Sequence, residues 1–174
     1  MCSKSHVDVL IPEADLRARV QGLGAEITRD YAGRSLVVVG VLKGSFIFLA
    51  DLVRAIDLTV EIDFIGISSY EGMRTSGVVQ ITSDLGRPIE GKDVLLVEDI
   101  VDTGLTMRYL LENLATRRPA TLKVCALLEK PTRGQAKVRI DYRGFVIGDE
   151  FVVGYGLDWD GRMRNLPFIG VPRS

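Results

Sequence analysis

Residues Val94 to Met107 constrain the fold more than any other stretch of the chain. Val94-Leu95-Leu96-Val97 is an unbroken apolar run, the pattern of a strand covered on both faces in a parallel sheet, because a strand with one wet face would alternate. Polarity then changes abruptly. Glu98 and Asp99 stand at the strand's carboxyl end, Asp102-Thr103-Gly104 turns, and Leu105, Leu110, Leu111 and Leu114 recur at the spacing of an amphipathic helix. Open α/β sheets bind ligands beyond the carboxyl ends of their strands, and the amides that open the following helix suit a phosphate. Thr103, Gly104 and Thr106 fit that role.

Three acids beside a phosphate would repel it unless a cation or hydroxyl groups stand between them. A sugar phosphate with Mg²⁺ resolves the conflict: paired carboxylates accept hydrogen bonds from vicinal hydroxyls, and Mg²⁺ takes oxygen ligands from the substrate and one or two carboxylates. The plainer alternative is a solvated strand end before an Asp-Thr-Gly helix start. It requires two adjacent acids, a third acid, a turn and two threonines to coincide without a ligand.

Elsewhere, strand and helix patterns alternate. After Pro12, residues Leu16, Val20, Leu23, Ile27 and Tyr31 predict an amphipathic helix. Leu36 to Leu42 predicts the first core strand and Phe46 to Ile56 a helix, so Lys43-Gly44-Ser45 is a second strand-to-helix corner where an ammonium and amides can converge on an oxyanion. Val60 to Ser68 reads as a strand. The polar, glycine-bearing stretch 69–77 follows as a candidate lid, before Val78 to Thr82 resumes alternation. Gly86, Pro88 and Gly91 mark a turn region, and Thr121 to Leu128 a further strand. From Val138 onward the pattern shortens into small strands and turns. The alternation predicts an α/β fold with a mainly parallel central sheet flanked by helices. We read residues 1–174 as a single domain, with a core over about 30–135 and a small hood from the N-terminal segment and about 136–174.

Composition narrows the function classes. The net charge is −1 and the basic residues are dispersed, which disfavours a general nucleic-acid binder. Two cysteines, Cys2 and Cys125, argue for a reducing compartment, and His6 is the only histidine, so zinc sites and histidine catalysis are nearly excluded. Any metal must use oxygen ligands. Neither a cationic leader with an apolar core nor a run of 18 apolar residues is present, and the expectation is a cytoplasmic protein with no membrane partner.

The Val94–Met107 segment resembles the phosphoribosyl diphosphate (PRPP) binding signature of the type I phosphoribosyltransferases. Four further blocks, Leu42-Lys43-Gly44-Ser45, Ser68-Ser69-Tyr70, Leu127-Leu128-Glu129-Lys130-Pro131 and Phe151-Val152-Val153-Gly154-Tyr155-Gly156-Leu157-Asp158, resemble in the same order the hypoxanthine (guanine) branch of that family. The resemblance implies a type I phosphoribosyltransferase-like fold and a Mg²⁺-dependent purine-salvage transferase. That activity would convert hypoxanthine or guanine and PRPP to IMP or GMP and pyrophosphate through an oxocarbenium-like ribosyl transition state. It further implies small-molecule partners, PRPP and a 6-oxopurine base, no nucleic acid, and a homodimer or homotetramer, with the apolar residues near Phe46 to Leu52 as equally good core or interface.

The same resemblance distributes roles. Asp102 is the expected general acid/base, although aspartate at this turn also serves as a helix cap. PRPP and its phosphates fall to Lys43, Gly44, Glu98, Asp99, Asp102, Thr103, Gly104, Leu105, Thr106 and Arg164. The metal falls to Glu98, Asp99 and Asp158. In the purine subsite, Lys130 donates to the 6-oxo group, Phe151 stacks, Val152 presents backbone groups and Asp158 lies near the 2-position. Ser69 and Tyr70 begin the catalytic lid, and a non-proline cis peptide is expected at the Lys43 corner. Trp159, where relatives often carry tyrosine, and Gly134, where they often carry more arginine, depart from the pattern. A regulator of the same fold that binds RNA or DNA is the competing reading. It would need a basic stripe or an added domain, and the near-zero net charge supplies neither.

Overall fold

The computed structural model describes residues 7–72, 75–131 and 136–173, with side chains for all of these outside 69–78. The central strand β5 spans Asp93–Val101 and lies in a six-stranded sheet with β2 (Leu36–Leu42), β3 (Val60–Gly72), β4 (Thr75–Ser83), β6 (Thr121–Glu129) and β7 (Tyr142–Val146). The spatial order is β4-β3-β2-β5-β6-β7. All neighbours pair in parallel except β3 with β4.

The unbroken apolar runs have a direct structural cause. On β5, Leu95 and Val97 pack with Leu36 and Val38 of β2 against helices α1 (Glu13–Asp30) and α2 (Phe46–Ala55). The intervening Val94 and Leu96 pack with Val37, Val39 and Val41 against Met107, Leu110 and Leu114 of helix α3 (Leu105–Ala115). Successive side chains point to opposite faces, so a strand between two helical layers must be apolar at every position. Leu95 and Leu96 are fully buried, and truncating either to alanine would cost about 2–5 kcal/mol.

Three sequence expectations are corrected. β5 does not end at Val97. It continues beside β6 through Ile100↔Leu128 and Val101↔Glu129, while its pairing with β2 stops at Val97. Glu98 and Asp99 therefore lie inside the strand, two or more residues before its end, because backbone pairing to one neighbour suffices to extend a strand beneath polar side chains. Of the stretch read as a candidate lid without strand pattern, residues 69–72 and 75–77 continue β3 and β4 as antiparallel arms, with Ser69↔Val79, Tyr70↔Val78 and Gly72↔Thr75 paired. Polar residues on an edge hairpin keep their backbone bonds without an apolar face, so composition hides the strand. On α3, Met107 rather than Leu105 is the first fully buried residue.

A second, two-stranded antiparallel sheet joins β1 (Val7–Ile11) to β8 (Ile169–Pro172). Val7, Val153 and Leu166 form a small apolar cluster beneath it, and Val153 and Gly170 exchange backbone hydrogen bonds at 2.9 Å. The element β1 is absent from the sequence reading, since five residues with three exposed in the middle carry little periodic signal. Among the described residues no helix is long and apolar enough to cross a membrane.

Candidate active site

Side-chain alternation along β5 decides where its acids go. Asp99 shares the face of Val97 and meets the β2–α2 corner: its Oδ2 lies so near Gly44 that a Cβ on that glycine would stand 1.6 Å away. Both carboxylates are buried, Glu98 at 7% and Asp99 at 9% exposure. Glu98 Oε1 accepts from the Asp99 amide at 3.1 Å, and Asp99 Oδ1 from the Ile100 amide at 2.8 Å. Burial, with the adjacent Asp99 charge second, holds the Glu98 carboxyl well above the usual carboxylate range. Burial also raises that of Asp99, although hydrogen bonds from Glu98 and Ile100 and the Arg164 charge oppose it.

The loop after β5 reaches α3 through a left-handed Gly104, φ 77°, which is the N-cap residue. Asp102 lies two residues before that cap, so the capping role considered from sequence is not its own. Thr103 holds the turn instead: its Oγ1 accepts from the Leu105 amide at 3.4 Å and its carbonyl from the Ala136 amide at 3.0 Å. Gly104 has no side chain to cap α3, so beyond the long Leu105–Thr103 contact the helix start is uncapped, an arrangement suited to an anion.

At the second corner the Leu42–Lys43 peptide is cis, as the resemblance led us to expect. Ser45 is fully buried and its hydroxyl donates to the Val41 carbonyl at 2.6 Å, closing the turn that starts α2. Lys43 is exposed.

The two corners face one another across a cleft of about 240 Å³ lined by Gly44, Glu98, Asp99, Asp102, Thr103, Gly104 and Thr106. Val41, Ile67 and Met107 also line it, three apolar residues for which the sequence offered only a core reading. Lys43, Leu105, Arg164, Lys130, Phe151, Val152 and Asp158 lie outside this lining. Lys130 follows β6 and is 5% exposed, with its amide donating to the Val101 carbonyl at 3.0 Å, so it is tied directly to the end of β5. The Lys130 ammonium carries three donors, to which a carbonyl-bearing ligand offers an acceptor.

The hood supplies the remaining residues. Phe151 is 57% exposed and meets Trp159 edge-on, with ring centroids 6.3 Å apart at 76°. An exposed aromatic pair of this kind leaves a face available for stacking. Val152 is buried. Arg164 divides its guanidinium between the Gly156 carbonyl at 2.6 Å and Asp158 Oδ1 at 2.7 Å, and Asp158 Oδ2 accepts from the Gly161 amide at 2.7 Å. Asp158 is thus committed to the hood, and no cluster of three acids suited to a metal forms among the described residues. The expected trio Glu98, Asp99 and Asp158 is not gathered into one centre. Ser69 and Tyr70 have their backbones in β3, and their side chains lie outside those described. Gly134 also lies outside the described residues.

The sequence reading passed over the contact between the hood and the β2–α2 corner. A Cβ on Gly156, φ 105°, would stand 2.1 Å from the Gly44 carbonyl oxygen, so the two backbones touch. Its signal was the pair Gly154 and Gly156 around one tyrosine, a spacing that suggests positive φ on both sides.

The fold and the cleft together define an α/β protein with its ligand site at the carboxyl edge of a parallel sheet. A sequence profile of the phosphoribosyl transferase domain matches residues 13–160. The hypoxanthine phosphoribosyltransferase of Haemophilus influenzae is 53% identical over 171 residues, covering 96% of each chain. The hypoxanthine-guanine phosphoribosyltransferase of Staphylococcus aureus is 48% identical over 164 residues, covering 94% of this chain and 92% of the relative. A crystal structure of a hypoxanthine phosphoribosyltransferase from Staphylococcus aureus superposes with a TM-score of 0.93 at 46% identity, covering 97% of this chain and 93% of the other. The chain belongs to the phosphoribosyltransferase family.

Proposed function

We propose that the protein is a purine-salvage enzyme that transfers the phosphoribosyl group of PRPP to a ring nitrogen of hypoxanthine or guanine, releasing pyrophosphate and forming IMP or GMP. The names of its relatives support the substrates. The observation that carries the reading is the pair of buried carboxylates, Glu98 and Asp99, lining with Gly44 one cleft that ends on the glycine-capped start of α3.

Each chemical demand has a candidate group. The 5′-phosphate suits the turn Thr103-Gly104-Leu105-Thr106, where amides and hydroxyls converge. Glu98 and Asp99 accept from the vicinal ribose hydroxyls. Their raised proton affinity is the state expected of buried acids awaiting such donors or a cation. The oxygen-only donors Glu98 and Asp99 suit Mg²⁺, which they would hold together with substrate oxygens. When bound, that ion neutralises charge gathering on the leaving pyrophosphate. Lys43 and the Gly44 amide aim positive charge at the same group, with Arg164 behind them.

Asp102 takes or returns the proton at the purine imidazole ring as the new bond to ribose C1′ forms. Lys130 donates to the 6-oxo group, and adenine, with an amino group there, would leave that buried ammonium unsatisfied. Such a mismatch can discriminate by roughly 10⁴-fold. Phe151 stacks on the base and Val152 presents its backbone to the base edge. Closure of the β3–β4 hairpin, beginning at Ser69 and Tyr70, would exclude water from the ribosyl cation. We read the chain as one domain, acting in the cytoplasm as a homodimer or homotetramer. Phe46, 43% exposed at the start of α2, offers apolar surface for self-association.

The test is nucleotide formation from PRPP and Mg²⁺ with hypoxanthine, guanine, xanthine, adenine and uracil. Turnover confined to 6-oxopurines is expected, lowered about 10²–10⁴-fold in Asp102→Asn and with weakened base discrimination in Lys130→Ala. Measurable PRPP binding without turnover of any base would replace this reading with that of a regulator.

A further inference from the structure

A long-range side-chain contact lies behind the site. Tyr155, in the base-side block of the hood, is 6% exposed, and its hydroxyl donates to Asp51 Oδ2 at 2.5 Å across 104 positions of sequence. Asp51 sits on α2, the helix that begins directly after the Lys43-Gly44-Ser45 corner, and also pairs with Arg54 on the same helix. Tyr155 adopts φ 51° between two glycines at φ 97° and φ 105°, so the loop carries it in a conformation that few non-glycine residues take. Its neighbour Gly156 is the residue whose backbone rests on the Gly44 carbonyl. The base-side loop and the pyrophosphate corner are therefore fastened at two points, one of backbone and one of side chain.

We infer that the Tyr155–Asp51 hydrogen bond is a positioning contact that sets the spacing between the purine subsite, 151–158, and the pyrophosphate corner, 43–45. The inference rests on the transferase reading above. Neither residue lines the cleft that holds the acids. Both border a separate cavity of about 550 Å³ between α1, α2 and the hood, where Arg17 and Asn165 also stand. That cavity gives the hood room to shift against α2 once the contact is released. The phenol is a dependable donor, since burial first and the Asp51 contact second raise its proton affinity.

Bringing two substrates together within a fraction of an ångström is where such a fastening acts, and a displacement of about 1 Å can cost 10²-fold in rate. Apart from Arg164, the groups assigned to the pyrophosphate lie on the corner side of the fastening, and the stacking groups assigned to the base lie on the hood side. Losing it should therefore slow the joining step while leaving the separate affinities for PRPP and for the base unchanged. A purely structural contact would instead lower the melting temperature and leave the rate per folded molecule intact.

The experiment compares wild type with Tyr155→Phe, Asp51→Ala, Asp51→Asn and the double variant Tyr155→Phe/Asp51→Ala in single-turnover formation of IMP from PRPP and hypoxanthine. Dissociation constants for each substrate and melting temperatures are measured in parallel. The expected result is a fall of roughly 10- to 100-fold in the single-turnover rate for Tyr155→Phe and Asp51→Ala. Substrate dissociation constants should stay within about twofold, and the double variant should be no slower than the worse single. Asp51→Asn keeps an acceptor oxygen and should recover most of the rate. Single-turnover rates within twofold of wild type in both Tyr155→Phe and Asp51→Ala, or losses that track the unfolded fraction, would overturn the inference. Wild type that turns over no base would instead fail the transferase reading itself.

Discussion

The carboxylate of Asp99 lies against the backbone of Gly44, leaving no space for even a methyl group between the two strand-to-helix corners. Gly44→Ala must therefore push Asp99 or the corner aside. We expect the substitution to reduce kcat/KM for PRPP by at least roughly 10²-fold while the fold persists, because the clash is local to the cleft. Circular dichroism with steady-state kinetics checks this, and a variant of near wild-type activity would refute the contact.

Glu98 makes stability depend on pH in a stated direction. Its carboxyl titrates higher in the folded chain than in the unfolded one, chiefly through burial. A raised value contributes stability that is fully present below the unfolded value, about 4.3, and is lost as pH rises through the folded one. The ligand-free melting temperature should therefore fall as pH climbs above that range. Glu98→Gln should flatten the decline and raise the melting temperature at pH 7.5 by about 2–4 °C per kcal/mol recovered. Parallel pH profiles for the two proteins would count against the assignment.

Cys125 is fully enclosed on β6, and burial pushes its thiol well above the ordinary range. Iodoacetamide at pH 8 should leave this residue unmodified in the native protein, as read by peptide mass, and modify it fully in denaturant. Rapid native labelling at this position would mean that the layer between β6 and α1 is open.

Tyr31 is likewise fully enclosed, with its phenol pushed up to about 12 by burial and, next, by the Asp93 charge. The sign is that of a raised group: stability is present below the unfolded value, about 10, and lost as pH rises through about 12. Alkaline unfolding should accompany the near-ultraviolet signal of tyrosinate, and Tyr31→Phe should move the alkaline midpoint upward. Ionisation of Tyr31 with the ellipticity unchanged would contradict its burial.

What was legible in the sequence follows from how local each signal is. The apolar run Val94-Leu95-Leu96-Val97 identified a doubly covered strand because burial on both faces is written into consecutive residues. The acids after it stood out for the same reason. The extension of β5 to Val101 and the arms of the β3–β4 hairpin were hidden, since they depend on backbone pairing with distant strands rather than on side-chain pattern. The burial of Lys130 and the transfer of the capping position from Asp102 to Gly104 also needed coordinates, because each depends on what the neighbouring loop leaves uncovered. Tyr155 and Asp51 carry no mutual signal at all, for nothing near either residue names the other.

The pairing of β1 with β8 has a consequence for synthesis. Arg173 reaches Asp8 across 165 positions at 2.9 Å, so the small sheet that packs on Val153 of the hood draws on both early and late parts of the chain. The strands of the six-stranded sheet are all present by Val146, whereas the apolar layer on one of its faces still lacks Val152, Tyr155, Leu157 and Ile169, and the small sheet must wait for residues 169–172. A nascent chain halted between those points would carry the acids of β5 on a sheet whose strands are complete but whose hood is not. The last strand closes the hood and completes the core beneath it together, which makes it a checkpoint on the site as much as on folding.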